Sequence, residues 1–349
     1  MIYFDVTKSG GAQHRSGLTR VSARIREELG SRAIAVVWRT GWRDAATDAL
    51  LQPKTTDWLV TPELFSETER PGFWAFLKAP GCHLAAIFHD AIPLKFPHIT
   101  WPQSVARHPE YMKMLSRFDR VFAVSEASRK ELVEFWKWQS AVVRAEVETL
   151  ALGADFLRGT NAPGPREPAV PGGVPLLLCV GIIEPRKNQM LLADVAEVLA
   201  REGVSFQLEV VGRVNPHFGL PIEGRLRRLA SQHRCIRLNT TADDALVTQL
   251  WRTARASVFP TLAEGCGLPL IESLWMGVPC VCSDLPVLRE NGDAGGCEFV
   301  AVDDRVAWTA TLRRVLTDDD YAAQLRKAAV ARVVPEWRQT ADQLCGRLG

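Results

Sequence analysis

The 349-residue chain has no apolar run approaching the ~18 residues that a membrane span requires. It opens directly on a strand-like Met-Ile-Tyr-Phe-Asp-Val, with no basic stretch leading into an apolar core, so a secretory leader is not predicted and a cytoplasmic protein is expected. There is no excess of one charge: 42 Lys and Arg stand against 40 Asp and Glu, which removes the electrostatic argument for nucleic acid as a partner. Cysteine pairs spaced for metal or redox work are missing too. The eight cysteines, Cys82, Cys179, Cys235, Cys266, Cys280, Cys282, Cys297 and Cys345, include no CxxC, and they read as small buried residues in a reducing compartment. Repeats and low-complexity tracts are absent. With 47% hydrophobic and 23% charged residues, the composition excludes collagen, a disordered tail and a bare coiled coil.

What is present is alternation. Short apolar runs at 2–6, 33–38, 58–60, 84–89 and 120–124 read as strands, and the stretches 17–29, 103–118 and 126–138 carry apolar residues at helical spacing. Residues 161–175 hold five prolines and three glycines, a composition that no regular element survives, and are read as a linker. Strand patterns then resume at 176–180, 207–211, 236–239, 257–260, 279–282 and 298–300, with helical stretches at 188–201, 225–232, 244–253 and 269–275 between them. Strand and helix in alternation predict an α/β architecture of two Rossmann-like parallel-sheet domains. The expected boundaries are 1–160, a linker at 161–175, and 176–349 with a helical C-terminal segment. Ligands of open parallel sheets bind beyond the carboxyl ends of the strands, so two such sheets predict a site on post-strand loops facing an interdomain cleft.

Four post-strand loops carry chemistry. Gly10 and Gly11 open the 10–17 loop, where backbone can approach a ligand closely, although neither a G-x-G-x-x-G nor a P-loop Lys-Ser/Thr is present. His89-Asp90-Ala91-Ile92-Pro93 places a histidine at a strand end, either to donate to a ligand oxygen or as a structural ring. Gly181-Ile182-Ile183-Glu184-Pro185-Arg186-Lys187-Asn188 sets a planar fork and a point charge before a helix, a pairing suited to a diphosphate. Cations there oppose the helix dipole unless an anion is near. Glu264-Gly265-Cys266-Gly267-Leu268-Pro269-Leu270-Ile271-Glu272 offers backbone N–H groups for phosphate and two carboxylates for sugar hydroxyls. A glycosidase pair would also use two carboxylates, but it leaves Arg186 and Lys187 without a role.

Arg186-Lys187-Asn188 followed by Glu264 and Glu272 resembles the retaining glycosyltransferases of family 4, which have the GT-B fold. His89-Asp90-Ala91-Ile92-Pro93, Val124-Ser125-Glu126-Ala127-Ser128-Arg129 and Ser283-Asp284-Leu285-Pro286-Val287-Leu288-Arg289-Glu290 are similar to further blocks of that family, so the match runs from about residue 10 to 300. Cys266 departs from it, standing where many members carry an aromatic. The resemblance implies catalytic roles for Glu264, His89, Arg186 and Lys187. It implies nucleotide-sugar contacts from Gly10, Gly11, Gly181, Arg186, Lys187, Gly265, Cys266, Gly267, Leu268 and Glu272, with Glu264 on the donor sugar and Glu272 on the ribose. No metal and no cofactor beyond the nucleotide-diphosphate sugar are expected.

The expected activity is transfer of a hexose, with a lean to mannose from GDP-mannose, to a glycan or lipid-linked glycan acceptor. A small-molecule acceptor, a phosphorylase and a nucleotide-sugar-binding module without turnover are the alternatives. Peripheral contact with the inner face of the plasma membrane is a further expectation, since Phe135-Trp136-Lys137-Trp138 reads either as an amphipathic tip touching lipid or acceptor, or as buried packing. Asp318-Asp319-Asp320 could be an acidic metal triplet but reads better as a helix cap, as does Asp243-Asp244.

Overall fold

The computed structural model of the protein describes residues 1–11, 17–156 and 173–349. The chain forms two compact units, one made of Met1–Gly153 with Pro335–Gly349 and the other of Ala154–Val334. Most of the 161–175 linker lies outside the described residues, as do residues 12–16 of the glycine loop.

In the first unit the strands are β1 (Ile2–Asp5), β2 (Ala33–Trp38), β3 (Trp42–Asp44), β4 (Trp58–Thr61), β5 (His83–Phe88), β6 (Arg120–Ala123) and β7 (Glu146–Thr149). They form one sheet in the order β3-β2-β1-β4-β5-β6-β7, parallel except for the short β2–β3 hairpin. The central strands are buried on both faces, as helix-covered parallel strands must be. Phe65, Phe73, Phe88, Tyr111, Met112 and Phe118 fill the core on one side. The helices Gly17–Leu29 and Glu126–Trp138 match their sequence periodicity to the residue, the second begun by Ser125, whose side chain accepts from Ser128 N.

The second unit holds β8 (Leu176–Val180), β9 (Gln207–Val211), β10 (Ile236–Asn239), β11 (Ala256–Phe259), β12 (Cys280–Ser283) and β13 (Cys297–Val300). Their order, β10-β9-β8-β11-β12-β13 and all parallel, is the 3-2-1-4-5-6 arrangement of a doubly wound sheet. Leu177 and Cys179 pack on one face of β8 while Leu176 and Leu178 pack on the other, beside Trp251 and Met276. The order reverses between β8 and β11, so the loops after these two strands diverge around a switch point. That geometry places residues 181–188 and 260–267 together.

One expectation is corrected. Its position in the chain places the helix Trp337–Leu348 in the second domain, but it packs in the first unit. Its start lies so close to Gly153 that a Cβ there would sit 2.1 Å from Trp337 N. Thr340 Oγ1 donates to Ala151 O at 2.9 Å, and Arg32 pairs with Asp342 at 2.6 Å. Amphipathic spacing tells that a helix has a buried face, not which domain receives it. The acidic triplet is a cap as expected: Asp318 accepts from Tyr321 N at 2.9 Å, and Asp319 pairs with Arg255. Asp243 likewise caps Asp244–Thr253.

Where the loops after β8 and β9 meet, the backbone leaves no room for a side chain at Gly212. A Cβ on Gly212 would lie 1.8 Å from the carbonyl oxygen of Gly181. Gly212→Ala is therefore expected to cost about 3 kcal/mol, at the upper end of overpacking penalties. Gly10→Ala, whose Cβ would meet Val6 at 3.5 Å, should cost far less. Thermal melts of both variants check this ordering, and equal melting points would contradict it.

Candidate functional site

The site of the second unit begins with the turn after β8. Gly181 N donates to Val211 O at 2.9 Å, which brings the chain end of β8 against β9. Residues Pro185–Lys187 make a single 3-10 turn, and Asn188 then takes a left-handed conformation (φ 53°) before the helix Gln189–Arg201. Asn tolerates that backbone better than most residues. The reversal leaves Arg186 and Lys187 ahead of the helix rather than on its flank. Gln189, fully buried, donates from Nε2 to Ile182 O at 2.9 Å and closes the turn from behind.

Three donors converge on one oxygen of Glu264. Lys187 Nζ reaches Oε1 at 2.6 Å, Arg186 Nη1 at 2.8 Å and Thr261 Oγ1 at 2.7 Å. Oε2 takes none of the three. Arg186 also donates to Ala263 O at 2.8 Å and pairs with Glu184 at 2.9 Å, and Glu184 in turn accepts from Asn215 Nδ2 at 3.0 Å. The Lys187 ammonium sits 4.8 Å from the centre of the Phe259 ring. Burial works against the Glu264 carboxylate, but Arg186, Lys187 and the hydrogen bonds outweigh it and its pKa falls below the ordinary value. Burial also pulls the Lys187 pKa down, with Glu264 pulling the other way. Both values fall, which favours the charged form of Glu264 but the neutral form of Lys187, its partner in the ion pair. The geometry decides for the carboxylate: three donors on one oxygen hold Glu264 ionised.

The cations therefore already have anions beside them. Within this cluster two positive side chains face two negative ones, so the helix-dipole argument for a bound anion is met in part by Glu184 and Glu264. Neither Glu184, Thr261 nor Asn215 stood out in the sequence, because each lies in a separate loop and only the switch point joins them. The Glu-Pro-Arg-Lys spacing was the one available signal for Glu184.

The second half of the site is the turn into the helix Leu268–Trp275. Gly267 has φ 82°, and a Cβ there would lie 2.5 Å from Leu288, so only glycine fits. Cys266 is buried, its carbonyl accepting from Asn291 Nδ2 at 2.9 Å. Its thiol is pushed up to about 12 by burial and by the neighbouring carboxylates of Glu264, Glu290 and Glu272. Glu264 and Glu272 thus both act on the Cys266 thiol. Glu272 is itself buried, as is Leu268.

The first unit holds the remaining predicted residues. His89, just past β5, is buried with Nε2 at 2.9 Å from Pro62 O. A carbonyl only accepts, so the ring donates from Nε2 and the neutral tautomer leaves Nδ1 as acceptor. Ser128 Oγ donates to the His89 carbonyl at 2.8 Å, tying the 89–93 turn to the following helix. Gly10 N donates to Val6 O at 2.8 Å. The turn leading to Gly10 and Gly11 is held by a network the sequence did not reveal. Glu63 accepts from Lys8 N and Ser9 N at 2.9 and 2.8 Å, and buried Arg70 bridges Glu63 and Asp5 at 2.9 and 2.6 Å.

Residues 174–318 match the family model described as Glycosyl transferases group 1. The second unit carries a glycosyl transferases group 1 domain. The chain is 28% identical over 240 residues to the serotype-specific mannosyltransferase WbdA of Escherichia coli, covering 66% of this chain and 28% of that protein. It is 28% identical over 274 residues to the O-antigen chain mannosyltransferase B of Escherichia coli, covering 74% of this chain and 66% of the relative. The chain thus spans little more than a quarter of the WbdA length. Among solved structures it resembles the sucrose-phosphate synthase (tll1590) from Thermosynechococcus elongatus, with a TM-score of 0.73 at 16% identity over 99% of this chain and 97% of that one. That likeness shows the fold, GT-B. The Arg186–Lys187–Glu264 cluster and Glu272 both fall inside the glycosyl transferases group 1 match.

The histidines beside the first unit's strand ends give a pH prediction. Burial lowers the pKa of His89 and of His108, whose Nε2 lies 2.9 Å from Asp90 O, below the usual 6.5. Folding therefore favours the neutral rings; their contribution is complete above the unfolded pKa and is lost as pH falls below it. Melting temperature should drop between about pH 7 and about pH 5, and the drop should shrink in His108→Gln, which keeps a donor for Asp90 O without the ionisation. Identical pH profiles for the two proteins would remove this role.

Proposed function

We propose that the protein is a retaining, metal-independent hexosyltransferase that moves a hexose, with a lean to mannose from GDP-mannose, from a nucleotide-diphosphate sugar to a glycan or lipid-linked glycan acceptor. The observation that carries this reading is the convergence of Lys187, Arg186 and Thr261 on one oxygen of Glu264 at the switch point. Such a cluster combines two charge-bearing donors with a carboxylate whose second oxygen takes none of them. Breaking the sugar–phosphate bond builds negative charge on the departing diphosphate, and fixed cations in a water-poor site stabilise that charge where a metal otherwise would. Arg186 supplies a planar fork and Lys187 a compact charge. Glu264 Oε2 is suited to accept a hydroxyl of the transferred sugar. No side chain is assigned as nucleophile; the donor phosphate takes the acceptor's proton on the face that the diphosphate leaves.

The lean to mannose draws on the Escherichia coli relatives, which are mannosyltransferases. Glu272, one turn inside its helix, would hold the ribose, and the first helical turn would offer N–H groups to phosphate. His89 fits a neutral ring lining the sugar site rather than a proton donor, since burial disfavours its charged form.

The test is steady-state transfer from GDP-mannose, UDP-sugars and dTDP-sugars, with and without acceptor and in excess EDTA. Acceptor-dependent turnover that survives chelation is expected. Binding without turnover, loss of activity with the metal, or free phosphate serving as acceptor would each overturn a part of the reading. Within an active enzyme the two glutamates should separate. Glu264→Gln is expected to lower kcat by roughly 10²-fold, the scale of one charge-stabilising contact, whereas Glu272→Gln should raise donor KM about tenfold with little change in kcat. Melting curves on both variants separate these effects from a loss of fold, and the reverse pattern contradicts the assignment.

A further inference from the structure

The loop that carries Glu264, between β11 and the helix Leu268–Trp275, is held at its two ends by different parts of the second unit. Arg186 holds the first half: Leu262 N donates to Arg186 O at 2.8 Å, and Arg186 Nη1 donates to Ala263 O at 2.8 Å. Those contacts belong to the site already described. The second half rests on the helix Pro286–Gly292. Leu288 stands 2.5 Å from where a Cβ on Gly267 would lie, and Asn291 Nδ2 donates to Cys266 O at 2.9 Å.

The Asn291 contact fixes more than a carbonyl. The Cys266–Gly267 peptide is trans, so its C=O and its N–H point in opposite directions. Holding Cys266 O toward Asn291 therefore directs Gly267 N away from the helix that carries Asn291. Gly267 caps the helix Leu268–Trp275, and its N–H is among those that a helix start leaves without an intrahelical partner. A glycine restricts the rotation of this peptide less than any other residue would. An outside donor is what decides which way the N–H faces. Asn291 is itself held from behind by Arg332. Its Nη2 donates to Asn291 O at 2.7 Å, and its Nη1 to Gly295 O at 3.0 Å and Gly292 O at 3.5 Å. A cation at the C-terminal end of a helix also suits the dipole. The turn itself is pinned, since a Cβ on Gly296 (φ 82°) would stand 2.6 Å from Ala329 Cα in the helix Asp319–Val330, just ahead of Arg332.

We infer that Asn291 is a positioning residue that aims Gly267 N at the donor diphosphate, with Arg332 fixing the helix end that carries it. The inference rests on the nucleotide-sugar reading proposed above. Neither side chain touches the ligand: Asn291 acts through one peptide unit and Arg332 through Asn291. Asn is a poor helix former, and here its amide leaves its own helix to serve another loop. Capping accounts for the charge of Arg332, but not for the link that runs on from the capped residue to Cys266. A structural role would show in stability alone, whereas the aim of an N–H shows in affinity.

The test is calorimetric titration of the full-length chain with GDP and with UDP, well below the melting temperature. Asn291→Ala frees the peptide and is expected to weaken the better-binding nucleotide about tenfold, the scale of one oriented hydrogen bond. Asn291→Leu keeps the bulk without the donor and should lose as much. Arg332→Gln should weaken binding less, and the double variant Asn291→Ala with Arg332→Gln should bind no more weakly than Asn291→Ala alone. In transfer assays the same loss should appear as a raised donor KM with kcat nearly unchanged. Melting curves record what each change costs the fold. A lowered melting temperature with unchanged affinity in Asn291→Ala overturns the inference, as do wild-type affinity in Asn291→Leu and fully additive losses in the double variant. If the wild-type chain binds neither nucleotide, the donor reading falls and the inference with it. If it binds and every variant binds equally, the inference alone falls.

Discussion

One carboxylate oxygen organises the chemistry of the second unit. Glu264 Oε1 gathers an ammonium, a guanidinium and a hydroxyl from loops 77, 78 and 3 residues away in sequence. Withdrawing these charges from water is costly, and a pair of this kind contributes little net stability compared with well-packed apolar residues. Breaking it is another matter, because a lone buried Lys187 or Glu264 would be left without compensation. The surrounding backbone serves the same end. Gly181 and Gly212 allow β8 and β9 to meet without side chains, Asn188 reverses the chain, and Gly267 admits Leu288 beneath the opposing turn. Gly212 and Gly267 are each constrained by the neighbouring loop packed against them.

The first unit solves a similar problem at its own switch point, between β1 and β4. Arg70 is fully buried between Asp5 and Glu63, with its guanidinium 4.5 Å from the centre of the Phe65 ring. Trp42 and Phe73 lie farther along the same face. Nε and Nη1 of Arg70 have no hydrogen-bond partner among the described residues, so the rings carry part of the compensation. Glu63 spends both oxygens on the amides of Lys8 and Ser9 as well as on Arg70. Burial, followed by the neighbouring Asp5 charge, raises the Glu63 pKa even so. Stability alone does not call for such a network. Its geometric effect is to fix the turn after β1 at the carboxyl edge of the sheet, where open α/β sheets take their ligands.

Much of this was legible in the chain. The runs at 33–38, 176–180, 207–211 and 236–239 are strands to the residue; 33–38 and 176–180 are continuous apolar stretches, as helix-covered parallel strands require, while 207–211 and 236–239 carry polar residues among the apolar ones. The loops that would carry chemistry were legible for the same reason, as they follow those strands. What escaped was partnership. That Glu264 neutralises Arg186 and Lys187 depends on two distant loops meeting, and nothing local to either announces it. Asp5, Glu63 and Arg70 look like ordinary surface charges in sequence. β3 and β7 are short and polar, and exist because β2 and β6 offer edges to pair with. The Trp-rich stretch was two things at once: Trp136 is core and Trp138 is surface, two positions apart on a helix and so on different faces.

The central claim is that Arg186 and Lys187 are placed for a diphosphate, despite the carboxylates already beside them. Calorimetric titration with a nucleoside diphosphate and with the matching monophosphate isolates the second phosphate. In the wild-type chain the diphosphate should bind at least about tenfold more tightly, and in Lys187→Met, which keeps the apolar stem against Phe259, that advantage should largely vanish while monophosphate affinity stays the same. An equal preference for the diphosphate in both proteins would contradict the account, because the Lys187–Glu264 pair would then be a structural contact and nothing more.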